Sequence, residues 1–66
     1  MAVKLTVEID REEDGRWIAE VVEIPGALAY GATRDEAIRE AKAIAFVVLG
    51  DRAHRENIDS VEFAYA

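Results

Sequence analysis

Residues 14–37 read DGRWIAEVVEIPGALAYGATRDEA, and this stretch decides the fold. Asp14-Gly15 is a hairpin signal, because glycine supplies the positive φ that tight turns demand. Arg16 to Val22 then reads as a strand, with Trp17, Ala19 and Val21 on one face and Ile18, Glu20 and Val22 on the other. Glu23-Ile24-Pro25-Gly26 ends that strand, since proline cannot donate to a ladder and glycine tolerates a turn. A short third strand, Ala27 to Ala32, is predicted to put Leu28 and Tyr30 on the core face. Thr33-Arg34-Asp35-Glu36 is a capping box, with Thr33 as N-cap and Glu36 at the third helical position. Asp35 and Glu36 also suit the positive end of the helix dipole.

Upstream, Val3, Leu5, Val7 and Ile9 alternate with Lys4, Thr6, Glu8 and Asp10, the period-two pattern of a half-buried strand. A two-residue turn at Asp14-Gly15 would pair Ile9 with Glu20 and mix apolar with charged side chains on each face. A three-residue turn, Glu13-Asp14-Gly15, pairs Ile9 with Ala19 and Val7 with Val21. Register follows the buried face, so the three-residue turn is predicted, with Trp17 opposite Arg11 and facing inward.

Downstream, Ala37, Ile38, Ala41, Ile44, Ala45, Val48 and Leu49 form a helical core stripe. Gly50 offers a stop, but glycine inside a helix costs only about 1 kcal/mol, and the helix is predicted to continue to Arg55. Asn57 begins a connection, and Val61, Phe63 and Tyr65 mark a last strand over residues 60–65. The order is β-β-β-α-β. Three strands make an antiparallel meander, and a right-handed crossover lays the fourth parallel to the first. The expected architecture is α+β, a sheet in the order 3-2-1-4 with one helix on one face, leaving the other face to water or a partner.

The 66 residues suit a single domain, 1–66, with one core. A chain this short buries only about 60% of the surface its unfolded form exposes. No cysteine is available for disulfides or thiolate metal sites, and the single histidine disfavours zinc. Homo-oligomerisation, as a dimer or tetramer, is the expected extra support. The net charge of −6 disfavours direct nucleic acid binding and anionic membranes. No apolar run approaches the roughly 20 residues of a membrane span, and MAVKLTVEID lacks the form of a signal peptide. A cytoplasmic protein without cofactor is the expectation.

Glu8, Asp10, Glu12, Glu13 and Asp14 form an acidic run offset only by Arg11. Two readings stand: a solvated hairpin tip, or a docking surface for a basic protein, since complementary charge steers association. The strand order matches the first part of a ribonuclease-H-like fold, in which Asp10 would be the nearest metal ligand. No converging partner carboxylates can be identified for two-metal chemistry. His54 reads as a surface residue near the helix C-terminus, and the lone Ser60 leaves no nucleophilic triad. Trp17 and Tyr30 read as core rather than as a stacking platform, because the surrounding charge is negative. No catalytic or metal-binding residue is assigned. On the helix, Ala43, Phe46, Val47 and Gly50 fall opposite the core stripe, an apolar patch of the kind that marks interfaces. Self-association or a partner there competes with coverage by the chain after Gly50.

Taken in order, Asp14-Gly15, Trp17-Ile18-Ala19, Val22-Glu23-Ile24-Pro25-Gly26 and Gly31-Ala32-Thr33-Arg34-Asp35-Glu36-Ala37 closely resemble the HicB-like antitoxin family. That family's pattern is a D-G turn, an aromatic-x-A strand, P-E-x-P-G, then G-x-T-x-E-E-A opening the helix. Val22 replaces the first proline and Asp35 a glutamate. The resemblance covers nearly the whole chain, most specifically residues 14–41. It implies a partial, non-catalytic ribonuclease-H-like fold. It also implies an antitoxin that masks a small basic HicA-type ribonuclease toxin. Many family members add a C-terminal DNA-binding domain; here the expectation is a single HicB-like domain without one.

Overall fold

The computed structural model describes residues 1–66. The elements are β1 (Ala2–Arg11), β2 (Trp17–Val21), β3 (Leu28–Gly31), α1 (Arg34–Glu56) and β4 (Ser60–Tyr65). They form one four-stranded sheet in the order β3-β2-β1-β4. β1 pairs antiparallel with β2 and parallel with β4, and β2 pairs antiparallel with β3. This is the α+β arrangement that the sequence pattern predicts.

The first hairpin has the three-residue turn. Val7 lies opposite Val21, Ile9 opposite Ala19, and Arg11 opposite Trp17. Glu12 N–H donates to Arg16 O at 2.7 Å, Gly15 N–H donates to Glu12 O at 3.0 Å, and Gly15 takes a φ of 91°. The alternative register would have set Glu20 opposite Ile9 on the core face, an unpaired charge in the core.

β2 ends where Glu23 leaves the ladder. Its carboxylate takes the place of a backbone carbonyl, accepting from Thr6 N–H at 2.7 Å and from Thr6 Oγ1 at 2.9 Å. Ile24 and Ala27 turn inward and are buried, while Gly26 adopts a φ of 87°. The sequence pattern had Leu28 and Tyr30 facing the core, and the structure corrects this. Leu28 lies opposite Glu20 and Tyr30 opposite Ile18, on the uncovered face, where they are 39% and 44% exposed. The small residues Ala27, Ala29 and Gly31 face the helix instead.

The reason is steric. A Cβ on Gly31 would lie 2.5 Å from Ala37 N, so the first helical turn sits directly on that glycine. Ala19, Ala27, Ala37, Ala41 and Ala45 are all fully buried, and alanines on both sides let helix and sheet approach closely. A leucine and a tyrosine in that layer would hold them apart.

α1 begins as its capping box predicts, with Glu36 N–H donating to Thr33 Oγ1 at 3.1 Å. It runs through Gly50 to Glu56, one residue past the predicted end, and stops at Asn57, whose φ of 51° is left-handed. Ala37, Ile38, Ala41, Ala45 and Leu49 are buried and Val48 is partly buried against them. Ile44, expected in this stripe, is 39% exposed. It lies on the flank facing away from β4, because the helix is seated over β3 and β2, only brushes β1 and makes no close backbone approach to β4. No helix is long and apolar enough to cross a membrane.

Gly31→Ala forces the helix start off the sheet and should lower stability by about 2 kcal/mol, on the scale of core overpacking, read by urea denaturation. Glu23 offers a pH test. Thr6 N–H, then Thr6 Oγ1, hold its carboxyl below the ordinary 4.5. Its folded pKa is thus depressed, and its stabilisation is present above that ordinary value and lost as pH falls through the folded one. Thermal melts should show Glu23→Gln weakened at neutral pH, with the difference from the parent shrinking as pH drops below about 4.5.

Candidate functional site

One face of the sheet is covered by α1, and the other by nothing in the chain. On the uncovered face β1 displays Lys4, Thr6, Glu8 and Asp10, β2 displays Ile18 and Glu20, β3 displays Leu28 and Tyr30, and β4 displays Glu62 and Ala64. The register that buries Ile9 against Ala19 puts Glu8 directly opposite Glu20. Like charges facing one another across a ladder are destabilising. Folding alone gives no reason to place them there.

Around this pair lies a shallow hollow of ≈ 440 Å³, lined by Glu8, Ile9, Asp10, Ile18, Glu20, Leu28 and Ala66. Its chemistry is acidic and apolar together. Neither Glu8, Asp10 nor Glu20 has a lysine or arginine within ion-pair distance. Asp10 accepts only from the N–H of Arg11, at 2.8 Å. The bases of this face are used elsewhere. Lys4 lies 4.0 Å from Glu62, and Arg16 stacks 4.5 Å over the Tyr30 ring while holding Asp14 at 2.7 Å.

The acidic run therefore does not act as one surface. Glu8 and Asp10 join the hollow. Glu12 and Glu13 stay at the hairpin end, without a basic partner. Asp14 is occupied: the Arg16 N–H, and then the Arg16 guanidinium, hold its carboxyl below the ordinary carboxylate range. Glu20 is the residue that the linear run misses. Its signal was present in the register, since pairing Ile9 with Ala19 already sets Glu8 against Glu20. No group of three or more His, Cys, Asp or Glu side chains is disposed to hold a metal ion, so Asp10 has no ligand set around it.

Trp17 packs against the core, beneath Arg11 at 5.5 Å, as expected. Tyr30 does not; it lies on the open face under Arg16. On the helix, Ala43, Val47 and Gly50 are exposed, Val47 by 75%. A Cβ on Gly50 would meet nothing within 4 Å. The chain after Gly50 does not fold over this patch; it continues the helix. Phe46 lies on the flank toward β4, edge-on to Phe63 at 5.6 Å, and is 52% exposed.

If the Glu8–Glu20 pair serves binding rather than folding, neutralising one member should help the isolated protein. Glu20→Gln should raise the melting temperature by roughly 2–4 °C, and by less in high salt, because screening already relieves the repulsion. No family model, curated protein or solved structure matches this chain; the charge, shape and pairing of the open face are what its function must be read from.

Proposed function

We propose that this chain is a non-enzymatic binding module, a HicB-like antitoxin that acts in the cytoplasm by masking a small basic HicA-type mRNA-cleaving toxin. The observation that carries the reading is the unpaired acidic trio Glu8, Asp10 and Glu20 on a sheet face that nothing in the chain covers. The motif order across residues 14–41 supports it.

The physical logic is complementarity. Lysine and arginine carry apolar stems and charged heads. Ile18 and Leu28 offer the stems a surface, and Glu8, Asp10 and Glu20 offer the heads their counter-charges. A net charge of −6 adds long-range attraction for a basic protein and raises its on-rate. The same charge opposes RNA, so a bound toxin would be screened from substrate as well as physically covered. The strain of Glu8 against Glu20 is relieved when a cation arrives between them, which makes it a differential interaction favouring the complex.

The experiment pairs this chain with the product of the reading frame adjacent to its own, which the proposal requires to be a small basic protein. Co-expression should yield a stable complex and protect the cell from that neighbour. Glu8→Lys with Glu20→Lys should weaken binding about a hundredfold, the scale of losing two interfacial charge pairs, as measured by calorimetry at fixed salt. Full affinity in the double reversal would rule out the open face as the dock. A neighbour that forms no complex and is harmless alone would rule out the antitoxin reading altogether.

A further inference from the structure

β4 is the least protected element of the fold. It is an edge of the sheet, six residues long, and none of its residues is fully buried. It contains no proline or lysine, two of the devices that usually blunt a free edge, and Glu62 is its one charged residue. The opposite edge is different. β3 has four residues, it emerges from the Pro25-Gly26 turn, and the Leu28 N–H is already bonded to Gly26 O at 2.9 Å.

The outward groups of β4 can be identified. Ala66 N–H donates to Val7 O at 2.9 Å. By alternation Glu62 and Ala64 also address β1, and the N–H and C=O of Val61, Phe63 and Tyr65 point away from the sheet. On the helix side these same residues make an apolar row in which Val61 and Phe63 are half-buried and Tyr65 is 49% exposed. The helix reaches this row through side chains alone. Phe46 meets Phe63 edge-on, and Lys42 Nζ lies 4.5 Å from the Phe63 ring while donating to Tyr65 Oη at 2.9 Å.

We infer that β4 pairs antiparallel with β4 of a second copy of this chain, about a two-fold axis at Phe63. The register follows from charge and length. Centred on Phe63, each Phe63 faces the other, Val61 faces the second copy's Tyr65, and Glu62 faces its Ala64. The residues that meet in hydrogen-bonded pairs are those whose backbone groups already point outward. Centring on Glu62 instead would set two carboxylates directly opposite, which is unfavourable. Centring on Ala64 would shorten the ladder. The Phe63 register also unites Phe46 and Phe63 of both copies in one aromatic cluster, with edge-to-face contacts that add to burial. Each Glu62 keeps Lys4 of its own chain at 4.0 Å. The resulting sheet is continuous through both copies, carries both helices on one face and leaves both Glu8–Glu20 pairs free on the other.

Ala64 supplies the test, because it is exposed and its replacement leaves the fold intact. Sedimentation velocity of the full chain, from low micromolar to millimolar concentration, should show the mass rising from 7.3 kDa toward twice that value. Ala64→Glu puts a like charge opposite Glu62 at both symmetric positions and should raise the dimer dissociation constant about tenfold, whereas Ala64→Lys should lower it by a similar factor. Circular dichroism of both variants confirms that each is folded. A parent that stays monomeric throughout, or one whose dimer ignores both Ala64 variants, overturns the inference. A dimer that Ala64→Glu leaves intact and Val47→Glu dissolves places the contact on the back of the helix instead.

Discussion

The turn at Glu12 to Arg16 sets everything that follows. Its hydrogen bonds and the left-handed Gly15 fix how β1 meets β2, and a slip of one residue would exchange the two faces of β2. With Ile9 opposite Ala19, the inner face receives Leu5, Val7, Ala19 and Val21, all buried. On the outer face the same register sets position 8 against position 20, and both carry glutamate. One turn geometry therefore sets both the core pairing and the juxtaposition of Glu8 and Glu20 on the opposite face.

The core built on that register is narrow. Only 12 of 66 residues are buried, and five of the eleven apolar ones are alanines. Small residues release less free energy on burial than leucine or phenylalanine, about 25 cal/mol per Å² of apolar surface removed from water. What they provide is closeness. Gly31 under Ala37 and the alanine layer seat α1 tightly over β3 and β2, and this same tight seat draws the helix away from β4. The half-covered fourth strand is thus a consequence of how the other three were packed. A domain with so little core gains from any further burial, and the bare strand is where burial is on offer.

Much of this was legible in the chain. Alternation at Val3 to Ile9 and at Val61 to Tyr65, the capping box at Thr33 and the crossover rule were enough for the strand order and for the helix. Gly50 was passable because an isolated glycine weakens a helix without stopping it, and the stop came from Asn57, which can adopt left-handed geometry. The third strand turns the other way because size does not mark the core there. Leu28 and Tyr30 are larger than Ala27, Ala29 and Gly31, yet the helix needs the small set beneath it. That preference depends on the distance between layers, which no local pattern encodes. Ile44 failed for a related reason: the stripe's period fixes its centre, but the lateral seat of the helix decides which margin is wet. The acidic site was half legible. Glu8 and Asp10 were visible along the chain, and Glu20 becomes their neighbour only across the ladder.

The two surfaces left without intramolecular partners differ in chemistry, and the difference separates their occupants. The open face carries uncompensated carboxylates, so a second copy of this acidic chain would be repelled from it while a basic protein would be drawn in. The β4 edge carries backbone donors and acceptors beside aromatic rings, with Glu62 offset by Lys4. Such an edge asks for another strand rather than for a charge. Because one surface lies on the sheet and the other at its margin, occupation of either leaves the other accessible. A pair of chains joined at β4 would present two acidic faces on the same side of one sheet, and a partner linking both would gain effective concentration from the first contact to the second.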